Sequence, residues 1–168
     1  MLLRPATLAD LPALSQLAQQ TYSHAFGHSC APADLAAHLA KNLSPRNFEQ
    51  MLAEDTISVA EVDGQLVGCV QFGRADMPDV EISEDAQELR RLYVLPRFQS
   101  QGIGAQLMQA ALEHPQLRNA PSIVLDVWEH NPGAQRFYAR HGFKVIGQRQ
   151  FVVESGGETS LDLIMARQ

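Results

Sequence analysis

The stretch Glu88–Glu113, ELRRLYVLPRFQSQGIGAQLMQAALE, constrains the fold of this chain more than any other. Glu88 to Leu95 is dense in Leu, Val and Tyr and ends at Pro96, the pattern of a strand and its stop. From Gly104 on, Leu107, Met108, Ala111 and Leu112 recur at helical spacing, with Gln and Glu between them. Gln99, Ser100, Gln101, Gly102, Ile103 and Gly104 join strand to helix. Two glycines at a helix entrance allow a tight turn and bring a ligand close to bare N–H groups. Those groups have no intrahelical partner, and the helix dipole adds positive potential where they point. The loop Gln99–Ala105 is therefore expected to cradle a phosphate.

Other phosphate loops do not fit. No Lys follows Gly104, which argues against a nucleotide triphosphatase. Gly102 and Gly104 lack the third glycine of a dinucleotide fingerprint. A tight turn that merely packs a helix on a sheet is the plain alternative.

With 168 residues and 45% hydrophobic side chains, the chain is expected to form one domain with its own core, 1–168. Cys30 and Cys69 stand far apart outside any CxxC, so neither a disulfide framework nor a zinc site is indicated. His24, His28 and Cys30 have a spacing that invites a metal, but Gly27 interrupts them and no companion pair follows; no metal is expected. No long apolar run suggests a membrane span, and Met1–Pro5 lacks a signal segment, so a cytoplasmic protein is expected. The net charge of -6 argues against nucleic acid and favours cationic partners.

Along the chain, Leu2 to Arg4 reads as a first strand, and Thr7 to Asp10 as a capping box opening a helix with Leu11, Leu14, Leu17 and Ala18 on one face. Tyr22, His24, Phe26 and His28 are expected in a loop around Gly27. Pro32 starts a second helix with Leu35, Leu39 and Leu43 on one side, and Ser44-Pro45 opens a third. Thr56–Val62 and Leu66–Phe72 read as strands joined by a type I′ turn at Asp63-Gly64. Ala75 to Gln87 is a loop carrying Asp76, Asp79, Glu81, Glu84 and Asp85. Ser122–Val127 follows as a strand, then a helix from Pro132 to near Gly142. Phe143–Ile146 and Leu161–Met165 are the last strands, with a turn at Gly156-Gly157 between them. Strands and helices mix without strict alternation, so a plain doubly wound fold is not required.

The run Leu92-Tyr93-Val94-Leu95-Pro96 followed by Gln99-x-x-Gly-x-Gly resembles the acyl-CoA signature of the GCN5-related N-acetyltransferase (GNAT) superfamily. A second signature lies at Trp128-Glu129-His130-Asn131-Pro132 through Phe137-Tyr138, closing with His141-Gly142-Phe143. Trp128-Glu129-x-Asn131 and Asp162–Met165 resemble the bacterial polyamine (spermidine/spermine) acetyltransferase branch most closely. The resemblance implies an α/β fold with a mixed, mostly antiparallel sheet, splayed fourth and fifth strands, and helices on both faces. Gln87–Leu95 and Ser122–Val127 would be the splayed pair. It implies acetyl-CoA as cofactor, held by Leu92, Tyr93, Val94, Gln99, Ser100, Gln101, Gly102, Ile103, Gly104, Ala105, Asn131 and Tyr138.

Acetyl transfer to an amine needs a base, because a free alkyl amine has a pKa near that of Lys, about 10.4. By resemblance, Glu88 faces the acceptor and acts as that base through a water, with Glu129 as the alternative; a solvated Glu paired with Arg90 or Arg91 is the plain reading. Tyr138 would protonate the departing thiolate, as a phenol that stays protonated at neutral pH can. Its plain reading is core packing. By resemblance the Val94 N–H would meet the oxyanion. Asn131 is placed both to bond the pantetheine arm and to cap the Pro132 helix. Arg97, Arg136 and Arg140 are candidates for a positive patch beside the phosphates.

The acidic loop would steer a polycation, so a primary amine such as spermidine is the expected small-molecule acceptor. A peptide N-terminus, an amino acid or an aminated antibiotic is the alternative within the enzyme reading. A non-catalytic acyl-CoA-binding sensor is the alternative outside it. Homodimerisation is left open; nucleic acid and membrane are not expected partners.

Overall fold

In a computed structural model of the protein, residues 1–29, 31–77, 80–152 and 159–168 are described. Cys30, Asp79 and the turn expected at Gly156-Gly157 lie outside them. The strand order is β1-β2-β3-β4-β5-β7-β6 in a seven-stranded sheet, and the chain divides into two compact units. The first comprises Met1–Phe72 and Arg91–His114, the second Gly73–Arg90 and Pro115–Gln168.

In the first unit, β1 (Leu2–Pro5), β2 (Thr56–Val62) and β3 (Gln65–Arg74, as far as Phe72) are antiparallel neighbours. Asp63 and Gly64 have φ of 49° and 78°, the double left-handed conformation of the expected I′ turn. Three helices, α1 (Leu11–Phe26), α2 (Pro32–Asn42) and α3 (Pro45–Glu54), precede β2. The Asp10 carboxylate accepts from the Thr7 N–H at 2.8 Å and the Thr7 hydroxyl at 3.0 Å, closing the entry to α1 through a 3-10 turn, Leu8–Asp10. Ser44 caps α3 by accepting the Asn47 N–H at 3.3 Å.

The expected loop at Tyr22 to Phe26 is helical instead. No residue before Gly27 breaks the pattern begun at Leu14 and Leu17, so α1 runs on until the glycine. Leu14, Leu17, Ala18, Leu43 and Phe48 pack against Ile57, Val59 and Cys69 to form this unit's core.

The end of β4 (Gln87–Val94) and α4 (Ile103–Glu113) complete the first unit. Leu107 and Met108 of α4 are fully buried. Gly68 explains how the helix seats so closely. A Cβ there would stand 2.9 Å from both Leu107 Cδ1 and the Tyr93 carbonyl oxygen.

The second unit holds the start of β4, a short α5 (Pro115–Arg118), β5 (Ile123–Trp128), α6 (Pro132–Arg140), β6 (Lys144–Val152) and β7 (Thr159–Arg167). β6 and β7 are longer than their apolar runs, because ladder bonds carry them through polar residues that periodicity alone leaves out. β4 and β5 run parallel, with Gln87 opposite Ile123 and Glu88 opposite Val124. That register is two pairs long, and Leu89 and Arg90 continue without a β5 partner in it, which is how strands begin to splay. β5 pairs antiparallel with β7, and β7 with β6. Directly opposed residues share a sheet face. Glu88, Val124, Asp126, Trp128, Asp162, Ile164 and Arg149 therefore lie on one face. Met77, Val80 and Ile82 of the loop before β4 pack on Val124, Ile164 and Ala166.

Candidate functional site

The strand-to-helix connection in the first unit is built by its own side chains. After the 3-10 turn Pro96–Phe98, Ser100 has φ 61° and Gly102 φ 81°. Two left-handed residues in three curl the backbone into an arch. The Gln99 amide donates to the Val94 carbonyl at 3.0 Å, and the Gln101 amide to the Arg97 carbonyl at 2.9 Å, bracing its base. The first helical bond runs from the Gln106 N–H to the Gly102 carbonyl. The earlier N–H groups of α4 thus have no intrahelical acceptor.

Gln99 through Gly102 are exposed, and nothing lies within 4 Å of where a Gly102 Cβ would be. This open, positive helix end suits the pyrophosphate of an acyl-CoA. Arg97 stands beside it, donating to Gln65 Oε1 at 2.6 Å with its guanidinium 5.1 Å from the Phe98 ring centroid. The Leu95 N–H bonds the Val67 carbonyl on β3 at 2.9 Å. Successive N–H groups of a strand point to opposite edges, so that of Val94 is directed to the edge away from β3.

In the second unit, Glu88 is buried, 9% exposed. Its carboxylate accepts from Arg90 Nη1 at 2.5 Å and from the Asp76 N–H at 3.2 Å. The same guanidinium donates through Nη2 to the Arg74 carbonyl at 2.7 Å. Of the partners weighed for Glu88, Arg90 is the real one; Arg91 donates to Gln71 Oε1 instead. Glu88 is paired but buried rather than solvated. Burial raises its carboxyl above the ordinary range, and the Arg90 charge and Asp76 N–H draw it back.

On the same face the Asp162 carboxyl is also raised, by burial first and then by the neighbouring Asp126 charge. Arg149 reaches Asp126 at 2.5 Å. Glu129 accepts the Leu161 N–H at 3.3 Å, which ties the end of β5 to β7. Sequence reasoning singled out Glu88 and Glu129 as bases and Asp162 only as part of a signature, and it passed over Asp126 and Arg149. The signal was the alternation along β5 and β7, which puts charged residues on a strand face where apolar ones are usual.

Asn131 caps α6, its Oδ1 accepting the Ala134 N–H at 3.0 Å. Gln135 donates to the Trp128 and Glu129 carbonyls at 3.1 and 2.8 Å, fixing the turn that presents Asn131. Tyr138 is partly buried, its ring 5.4 Å from that of Phe137 and 6.0 Å from that of Phe143. Arg136 and Arg140 lie exposed on the same helix. Cys69 is an unsuitable nucleophile: burial pushes its thiol up to about 12, so it stays protonated. Among the described residues no group of three or more His, Cys, Asp or Glu is arranged to hold a metal ion.

The acetyltransferase (GNAT) family matches residues 11–143. An uncharacterized N-acetyltransferase of Mycobacterium bovis is 33% identical over 163 residues, covering 96% of this chain and 99% of its own length. The spermine/spermidine N(1)-acetyltransferase of Bacillus subtilis is 30% identical over 90 residues, 53% of this chain and 59% of that protein. The crystal structure of the PaiA N-acetyltransferase from Thermoplasma acidophilum in complex with coenzyme A superposes with a TM-score of 0.79. It has 20% identity and covers 99% of this chain and 98% of that one. That likeness is one of fold: a mixed sheet with helices on both faces. This chain belongs to the GNAT family of acetyltransferases and is an acyl-CoA-dependent N-acetyltransferase whose cofactor is acetyl-CoA.

Proposed function

We propose that the enzyme acetylates a primary amine of a small polycation, a polyamine such as spermidine, by direct attack of the amine on the thioester. The observation that carries this reading is the charge on one sheet face of the second unit. Glu88, Asp126 and Asp162 stand there with the guanidiniums of Arg90 and Arg149, and Glu129, just past the end of β5, is close enough to act on Asp162. Carboxylates outnumber guanidiniums in this part of the unit, an excess that suits an acceptor with several ammonium groups. Exposed Asp76, Glu81, Glu84 and Asp85 add to it. The partial match to a spermine/spermidine acetyltransferase points the same way.

In this reading Glu88 takes a proton from the ammonium through a water. The amine nitrogen bonds to the thioester carbonyl carbon, whose oxygen is met by the Val94 N–H, and the C–S bond breaks. Tyr138 gives its proton to the departing sulfur, and the second proton leaving the acylated nitrogen restores its phenol. Gln99 to Ala105 hold the pyrophosphate, Leu92 to Val94 the pantetheine arm, and the Asn131 amide donates to that arm while its oxygen caps α6. We further read residues 1–168 as one acetyltransferase domain acting in the cytoplasm, with homodimerisation to be measured by light scattering.

Specificity constants for spermidine and butylamine at low salt test the acceptor. Spermidine is expected to win by at least about tenfold, or roughly 1.4 kcal/mol. Equal constants would remove the polyamine, and no thiol release with any amine would return the sensor reading.

A further inference from the structure

The loop before β4 and the candidate base share one side chain. Arg90 stands two residues after Glu88, so both project from the same face of β4. Its fork holds the Glu88 carboxylate with one nitrogen and the Arg74 carbonyl, where β3 runs into the loop, with the other. The loop returns the contact, since the Asp76 N–H donates to the same Glu88 oxygen. Beyond Asp76 the loop is anchored by Met77, Val80 and Ile82 on the apolar part of the sheet face. Glu88, Arg90 and the backbone of residues 74–76 thus form a closed bracket of three hydrogen bonds.

We propose that Arg90 is a positioning residue that holds Glu88 as an oriented carboxylate and couples it to the seating of residues 74–76, where β3 runs into the loop. The proposal rests on the reading of Glu88 as the base. A guanidinium is suited to this task because it can serve two acceptors in fixed directions and never loses its charge. The other charges facing Glu88 are Asp126 from β5, which opposes its ionisation, and Arg149 from β6, which favours it but is engaged with Asp126. Asp162 from β7 lies on the same face. Arg90 is therefore the nearest opposing influence to the burial of the carboxyl. Without it, Glu88 takes up its proton at higher pH and loses one of its two anchors.

The test compares the protein as it stands with Arg90→Gln and Arg90→Lys. The first measurement is the Glu88 carboxyl titration by carbon NMR, assigned with Glu88→Gln. The second is the pH profile of kcat/KM with spermidine and saturating acetyl-CoA. Arg90→Gln is expected to raise both the carboxyl midpoint and the acid limb by about one pH unit or more. Arg90→Lys, which keeps the charge, restores most of the shift and serves if the Gln variant melts early. An unmoved carboxyl midpoint in Arg90→Gln, or a Lys variant that behaves like it, overturns the positioning role. A midpoint that rises while the acid limb stays still keeps the Arg90–Glu88 coupling and overturns the base assignment instead.

Discussion

At the residue scale, Tyr138 and Asp10 separate chemistry from stability. Tyr138 packs beside Phe137 and Phe143 without being sealed in the core, so Tyr138→Phe keeps the ring contacts and removes only the hydroxyl. General acid catalysis is typically worth about 10²–10⁴-fold, so turnover is expected to fall by at least about a hundredfold. The melting temperature should stay close to that of the parent. A fall of less than about fivefold, with a clear loss of stability, would return Tyr138 to packing. Asp10 shows the opposite pattern. Arg4 donates to both of its oxygens, at 2.8 and 2.9 Å, and holds its carboxyl far below the ordinary carboxylate range. A lowered folded pKa means that Asp10 stabilises the fold above its unfolded value, about 3.9, and loses that contribution as pH falls through the folded value. Asp10→Asn should therefore cost about 1.5–3 kcal/mol at neutral pH in urea unfolding. The gap to the parent should narrow as the solution is taken well below about pH 4. Turnover should be unaffected in the folded variant.

At the element scale, strand, arch and helix were legible because each carries its own local code: an apolar run, a pair of glycines and helical spacing. Which glycine matters was not. The helical pattern was read from Gly104, yet α4 begins at Ile103 and the residue forced to positive φ is Gly102. Periodicity cannot date a helix start to one residue, whereas a left-handed backbone can. The charged sheet face was legible only in part for a related reason. Asp126 and Asp162 are far apart in sequence, and only the β5–β7 register makes them neighbours. Likewise Arg90 and Arg91 were both open as partners of Glu88 until the alternation of β4 put Arg90 on its face. Two glycine substitutions now predict contrasting outcomes. Gly102→Val forces a β-branched residue into φ 81° and strains the arch that presents the helix N–H groups, so acetyl-CoA affinity by calorimetry should fall at least about tenfold, roughly 1.4 kcal/mol. Unchanged affinity in a folded variant would end the phosphate assignment. Gly68→Ala meets Leu107 and the Tyr93 carbonyl at 2.9 Å. Overpacking of that kind typically costs about 1–3 kcal/mol, so this variant should melt earlier whether or not acetyl-CoA is present.

At the scale of the whole molecule, charge and cooperativity are the properties at stake. A net charge of -6 attracts a polycation at a distance, and the attraction falls within about 10 Å at 0.1 M salt. The preference for spermidine over butylamine should accordingly narrow as salt is raised, mostly through loss of spermidine turnover at low concentration. Cooperativity turns on the fact that neither compact unit owns all of its strands. β3 crosses from the first unit into the second after Phe72, and β4 crosses back after Arg90. Melting one unit alone would have to stop partway along two strands, leaving their remaining ladder bonds to hold against frayed ends. If residues 1–168 are one domain, as proposed, the chain is expected to unfold as one body. Its one tryptophan, Trp128, ends β5 and reports the second unit, whereas far-ultraviolet dichroism reports helices and strands of both. Urea transitions followed by the two signals should coincide in midpoint and slope. A fluorescence transition that clearly precedes the dichroism change would show the second unit melting by itself, and residues 1–168 would then have to be described as two domains.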